Sequence, residues 1–219
     1  MPDPVDIELA AAAAWPSAIA EQRDGWLLRA TPGVAFRRNS SALPLQGACD
    51  IQVVERFYTG RGEPAIVAVA PAETRGELDA VLAARGWTAE GHTDVLVAPA
   101  AALAGAPSGG VRRVDPAAWP SGGIREQIVP RARDEVHAFA EGERGAVLCI
   151  RTGELGGIFR LHVAPEARRE GVASRLLAAC ARIAPVLYAQ VEVDNAPAQA
   201  LFARAGFTRS HGYHYRRPR

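Results

Sequence analysis

The sequence contains no lysine; all 25 of its basic residues are arginine, so no side chain of this protein offers an amine for acylation. Cysteine is scarce. Cys49, Cys149 and Cys180 lie far apart without C-x-x-C spacing, which suggests neither a disulfide framework nor a zinc site, and a reduced, cytoplasmic compartment fits them best. Net charge is also missing: 25 basic against 24 acidic residues leave +1, which argues against nucleic-acid binding by bulk electrostatics. No stretch approaches the roughly 18 apolar residues of a membrane span. The opening "MPDPVDIELA" places Pro, Asp and Glu where a secretory leader needs a basic and then an apolar run, so no leader is expected. A P-loop, G-x-x-x-x-G-K-[ST], is absent too.

What remains is a chain of 219 residues, 48% hydrophobic and 22% charged, with ample material for a buried core. The charge-free stretch "PAAALAGAPSGG", residues 99–110, reads as a linker between a first domain, 1–98, and a second, 111–219. Periodicity in the first half predicts a helix over about 5–20, strands at "GWLLRA" and "SSALPL", a helix at "DIQVVERFY", a strand at "AIVAVA", a helix at "RGELDAVLAARG" and a strand at "HTDVLV". In the second half it predicts a strand at "VRRV", helical sequence over "IREQIVPRARDEVHAFAE" kinked at Pro130, and strands at "AVLCIR" and "GIFRLHVA". A helix at "VASRLLAACARIA", a strand at "LYAQVEV", a helix over "NAPAQALFARAGF" and a strand at "HGYHYRR" follow. Alternating strands and helices make the class α/β, or α+β with a mixed sheet in each half. "LAARGWTAEGHTDV" and "FARAGFTRSHGYHY" superpose without a gap, so each half ends in a helix, a glycine, an aromatic, a threonine and a last strand, as two related domains would.

The chemistry concentrates in "GIFRLHVAPEARREGVASRLLAACA", residues 157–181. A strand ends at Pro165, a loop of arginines and one glycine follows, and a helix opens near Val172 with Val172, Leu176, Leu177, Cys180 and Ile183 on one face. The first N–H groups of a helix have no partner within it and carry the positive end of the macrodipole, so such a start suits a phosphate. Gly171 lets the backbone approach a ligand, Ala173 keeps the wall thin, and Arg168, Arg169 and Arg175 are candidates for charge-assisted contacts. Solvated arginines at a helix start, or a different phosphate ligand, are the competing readings of the same residues.

"RREGVA", residues 168–173, resembles the R/Q-x-x-G-x-G/A motif of the Gcn5-related N-acetyltransferases (GNATs), and "VEVDNAPAQALFARAGF" resembles their next signature, with order and spacing kept across about residues 145–215. The resemblance implies two GNAT-like domains, each a mostly antiparallel mixed sheet flanked by helices, the first a degenerate copy without a cofactor loop. It also implies an acetyl-coenzyme A dependent N-acetyltransferase, with no metal, acting on an unidentified amine as a monomer or homodimer. By motif, the cofactor set is Leu161, His162, Val163, Arg168, Arg169, Glu170, Gly171, Val172, Ala173, Ser174, Asn195 and Phe202. In that set the 169–173 amides would hold the pyrophosphate, and the main chain of Leu161 and Val163 the pantetheine arm and thioester oxygen. Asn195 reads equally as an ordinary helix N-cap.

Two positions depart from the family pattern. Phe202 stands where many members carry a proton-donating Tyr, and Gln190 where some carry a Glu base. The alternation of "LYAQVEV" puts Tyr188, Gln190 and Glu192 on one face, which makes Glu192 the first candidate for a base, with His162 second. Tyr213 or Tyr215 is a candidate acid, against a plain core role. A catalytically silent module that binds acetyl-coenzyme A is the alternative function. Arg37, Arg38 and Asn39, clustered before a strand, are expected either to border a substrate cleft or to form a solvated turn; His92 and the four tryptophans read as structural.

Overall fold

Local signals set most element ends. In the computed structural model, which describes residues 1–33, 36–45, 50–103, 105, 109–116 and 135–219, helix α1 (Pro4–Ala14) starts on Asp3, whose Oδ1 accepts from the Val5 N–H at 2.7 Å. It stops before Pro16 instead of running to residue 20, because the residue ahead of a proline is pushed out of the helical region. The remainder forms β1 (Ile19–Arg23), paired antiparallel with β2 (Trp26–Ala30) across Asp24 and Gly25, both at positive φ as a two-residue hairpin turn requires. Strand β3 (Leu43–Pro44), α2 (Ile51–Thr59), β4 (Val67–Val69), α3 (Gly76–Ala84) and β5 (Thr88–Pro99) follow.

Next come β6 (Arg112–Val114), β7 (Glu135–Ala140), β8 (Gly145–Thr152), β9 (Leu155–Val163), α4 (Val172–Cys180), β10 (Val186–Glu192), α5 (Ala196–Arg204) and β11 (Thr208–Arg217). The fold class is the expected one, a mixed and mostly antiparallel sheet flanked by helices. The expected helix over 124–141 meets a correction at its end. "EVHAFA" is β7, six residues paired antiparallel with β8, because ladder pairing and the burial of Ala138 and Phe139 outweigh the helical propensity of Glu and Ala. Its earlier part, with Pro130, lies outside the described residues, as does Trp119.

The chain divides into two compact units, Met1–Asp94 with His211–Arg219, and Val95–Ser210. The division falls inside β5, not in the stretch 99–110. Within that stretch residues 100–103 form a 3-10 turn whose Leu103 is buried in the second unit's core. The first unit is centred on Trp26, Leu28, Val54, Phe57, Tyr58, Val67 and Leu82, the second on Val147, Leu176, Leu177, Leu187, Phe202 and Phe207. β5 enters the second unit at Val95, where it lies beside β10; β11 enters the first at His211, where it lies beside β4. Among the described residues no helix is long and apolar enough to cross a membrane.

The repeat seen in the sequence has a geometric counterpart. α3 ends on Gly86 and α5 on Gly206, at φ 79° and 86°. In the first, Gly86 N–H donates to Ala83 O (2.9 Å) and Trp87 N–H to Leu82 O (3.1 Å). In the second, Gly206 N–H donates to Ala203 O (3.1 Å) and Phe207 N–H to Phe202 O (3.0 Å). Both are left-handed caps that satisfy the last carbonyls and tuck the following aromatic into a core.

Candidate functional site

In the second unit β9 and β10 run parallel and pair from Leu155 and Val186 to Ile158 and Ala189, where their register ends. At the paired end Gly157 leaves room for the Tyr188 ring, into which a Cβ would run. Beyond Ile158 a bulge re-aims β9: Arg160 stands at φ 54°, and Arg160 and Leu161 together face Val147 between the pairs Leu148–Phe159 and Ala146–His162. Ala164 N–H donates to Arg144 O at 2.9 Å, which makes that pair hydrogen-bonded and the next, Val163 with Gly145, not so. By ladder alternation the N–H and C=O of Val163 point to the side of β10, where the strands have parted.

The loop after β9 ends in two left-handed residues, Arg169 (φ 65°) and Gly171 (φ 75°). Gly171 is the N-cap of α4 and carries no side chain to accept from the first turn. The amides of Val172, Ala173 and Ser174 therefore remain open at the positive end of the helix, and Arg168 and Arg169 are exposed beside them. A small anion is the ligand that such a start fits. The apolar face read from sequence anchors it: Val172, Leu176, Leu177 and Cys180 are buried and Ile183 packs against the same core.

The Arg175 guanidinium lies beside that opening and is bonded to Glu141 and to the main chain of Glu170. Its Nε and Nη2 donate to Glu141 Oε2 and Oε1 at 2.7 and 2.8 Å, and its Nη1 donates to Glu170 O at 2.9 Å. Arg144 binds Glu141 Oε1 at 2.6 Å and also pairs with the Glu170 carboxylate. This network ties the β7–β8 turn to the loop and engages the one acidic side chain of 168–174. Its hydrogen bonds from Arg175 hold the Glu141 carboxyl below the usual carboxylate range, and the same bonds raise Arg175. Glu141 and Arg144 were not among the residues singled out from sequence, since the loop and helix residues they bind, Glu170 and Arg175, lie 26 to 34 residues away.

The remaining candidates separate. Glu192 ends β10 and His162 lies near the end of β9, both exposed. Leu187, Ala189 and Val191 are in the core; on the other face Tyr188 is fully buried and Gln190 half-buried, so burial alternates only from Ala189 on. Asn195 is an N-cap, its Oδ1 accepting from Ala198 N–H at 3.2 Å. Phe202 is a core residue, 5% exposed and edge-on to Phe207. Tyr213 belongs to the first unit, buried edge-on to Tyr215. His92 stacks on His214, whose Nε2 bonds Asp79 at 2.7 Å. In the first unit the helix corresponding to α4 in chain order is α2, and its start is closed by Asp50, whose Oδ1 accepts from Gln52 N–H at 2.9 Å.

Residues 5–216 match the family model described as "Probable histone acetyltransferase Rv0428c C-terminal". No curated protein matches the sequence. Among solved structures, a GCN5-related N-acetyltransferase from Kribbella flavida is similar with a TM-score of 0.68 and 12% identity, over 100% of this chain and 96% of that one. A functionally unknown conserved protein from Staphylococcus epidermidis is similar with 0.68 and 13%, over 93% and 94%. A tandem GNAT protein from the clavulanic acid biosynthesis pathway is similar with 0.60 and 13%, over 97% and 87%. At these identities the likeness is one of fold.

Proposed function

The chain belongs to the Rv0428c C-terminal acetyltransferase family, within the Gcn5-related N-acetyltransferase superfamily, and from that premise we propose that it is a cytoplasmic enzyme moving an acetyl group from acetyl-coenzyme A to a primary amine by direct attack in a ternary complex. The observation that carries the reading is the coincidence, in one unit, of an uncapped, glycine-led helix start with a parallel strand pair that parts beyond Ile158. The amides from Arg169 to Ser174 suit a pyrophosphate, with Arg168 and Arg169 adding charge. The main chain of Leu161 and Val163 suits an extended amide-bearing arm and a thioester oxygen. Asn195 contributes from the edge of the same gap, and the family description, which names a histone acetyltransferase, supports an amine as the acceptor.

An amine with a lysine-like pKa of about 10.4 is neutral in only about one molecule in 10³ at pH 7, so attack on a thioester profits from a base. Glu192 is that base in our reading, with His162 second; each is exposed toward the end of a strand of the parallel pair, where a proton passes readily to water. The leaving thiol, with a pKa of about 8.5, departs tolerably as an anion, and neither Phe202 in the core nor Tyr213 in the first unit is needed as an acid. Residues 1–98 are read as a degenerate copy of the same fold, without a cofactor loop and with the capped α2 where α4 would be.

The test is a thiol-release screen of amino acids, polyamines, aminoglycosides and peptide amines, with acetyl-coenzyme A affinity measured by calorimetry. We expect binding, release with at least one amine class, and a kcat lowered about 10²-fold or more by Glu192→Gln at unchanged cofactor affinity. Phe202 and Gln190 favour one other reading, a silent acetyl-coenzyme A binding module. Binding without release across the panel would select it, and absence of binding would sink both.

A further inference from the structure

The loop that opens α4 is held at both of its ends by one turn. That turn, residues 141–144, joins β7 to β8 and is closed by Glu141 N–H on Gly145 O at 2.9 Å and Arg144 N–H on Glu141 O at 3.1 Å. The loop begins where Ala164 N–H donates to Arg144 O, also at 2.9 Å. It ends at Gly171, and there the turn acts through its side chains. Gly145, directly after the turn, lies so close to α4 that a Cβ on it would stand 2.9 Å from Val172 Cγ1.

The acting group is a buried carboxylate. Glu141, its side chain 8% exposed, takes the Arg175 guanidinium through two bonds and also accepts from Arg144. A two-pronged pair of this kind fixes the guanidinium plane as well as its position. The remaining nitrogen, Nη1, is thereby delivered to Glu170 O at 2.9 Å. In a trans peptide the N–H points opposite to the C=O, so anchoring Glu170 O also fixes the direction of the Gly171 N–H, away from the guanidinium. Gly171 imposes no such restraint itself, because a residue without a Cβ is conformationally permissive. Arg144 meanwhile pairs with the Glu170 carboxylate, the one negative charge of 168–174 and the one that would repel a phosphate.

We propose that Glu141 is a positioning residue for the pyrophosphate of acetyl-coenzyme A. It acts through Arg175 to fix the Glu170–Gly171 peptide, and it shares with Glu170 the Arg144 that keeps the Glu170 carboxylate paired. The proposal rests on the acetyltransferase reading, which supplies the ligand. Glu141 touches no cofactor atom in it; what it sets is the direction in which the loop amides point.

Calorimetry on the full chain tests it with acetyl-coenzyme A and with 3′-dephospho-acetyl-coenzyme A, which keeps the pyrophosphate. Glu141→Gln should weaken both ligands about tenfold, and so should Arg175→Met, which keeps the stem and removes the donors. The double variant should lose no more than the worse single one, because the same chain of contacts is broken. Asp79→Asn opens a comparable arginine clasp in the first unit, away from the loop, and should leave both affinities unchanged. That control separates positioning from a general loss of stability, since a merely structural effect would appear there as well. A loss with acetyl-coenzyme A that vanishes with the dephospho analogue would show the arginines meeting the 3′-phosphate directly and would overturn the proposal. Unchanged affinity in both single variants would overturn it too, with the acetyltransferase reading intact. A wild type that binds neither ligand would sink that reading, and the proposal with it.

Discussion

Two helices of nine residues, α2 and α4, occupy matching places in chain order, each after a run of strands and before a strand, a helix and a last strand. Their starts differ in kind. Asp50 closes α2 with its own carboxylate, whereas Gly171 leaves α4 open. The strands on either side of them differ in the same sense. β9 and β10 pair over four residues and then part, while among the described residues the strands flanking α2 meet in parallel at an isolated bridge, Ala42–Val67. The lesson is that a helix start becomes an anion site by what is left out. A side-chain acceptor at the N-cap satisfies the first turn locally and stabilises the helix by about 1 kcal/mol, and a glycine gives that up to keep the amides for a ligand.

The largest effect should come from closing the open start. Gly171→Glu puts a carboxylate and a Cβ where φ is 75° and Arg175 Nη1 would be 3.1 Å away, and should weaken acetyl-coenzyme A about 100-fold or more by calorimetry. Wild-type affinity in that variant would break the comparison. Opening the closed start should do nothing of the kind: Asp50→Ala should cost about 1 kcal/mol in urea unfolding, with no second equivalent of acetyl-coenzyme A bound. Asn195→Ala removes a cap that lies beside the proposed cofactor arm, so it should show both a loss of up to about 1 kcal/mol in stability and weaker cofactor binding. A loss confined to stability would return Asn195 to a structural role.

The smallest expected effect concerns acid. In each unit a carboxylate is clasped by two groups of an arginine, Asp79 by Arg216 and Glu141 by Arg175, and both carboxyls are held below their ordinary values chiefly by that hydrogen bonding. A carboxyl whose folded pKa is depressed adds stability that is complete above its unfolded value, about 4, and is lost as pH falls from there through the folded value. Melting temperatures recorded from pH 6 to pH 3 should fall less steeply in Asp79→Asn and in Glu141→Gln than in the wild type. Equal slopes would show that the clasps do not contribute to acid unfolding.

The parts of the candidate site legible in the sequence are those made by neighbours in sequence. "RREGVA" announces the loop because Gly171 and the apolar periodicity from Val172 act within one turn, and Asn195, Pro197 and Gly206 mark both ends of α5 in the same way. The twin caps at Gly86 and Gly206 could be aligned from the letters alone, since each is a six-residue motif. The misjudged places depended on distant partners. "EVHAFA" became a strand because β8 lies beside it, and the Arg175 guanidinium is taken up by the Glu141 carboxylate and the Glu170 carbonyl.

By itself, then, the sequence determined the family, much of the order of elements and the position of an open helix start. Only the tertiary structure decided where β9 and β10 part, that one unit ends inside β5 and regains β11 from His211, and that Arg37, Glu63, Glu90 and Arg217 line one cavity. The reason is the range of the forces involved. Caps, turns and periodic faces are fixed by contacts a few residues apart, whereas strand pairing and shared carboxylates join residues separated by up to half the chain or more, whose encounter no local pattern records.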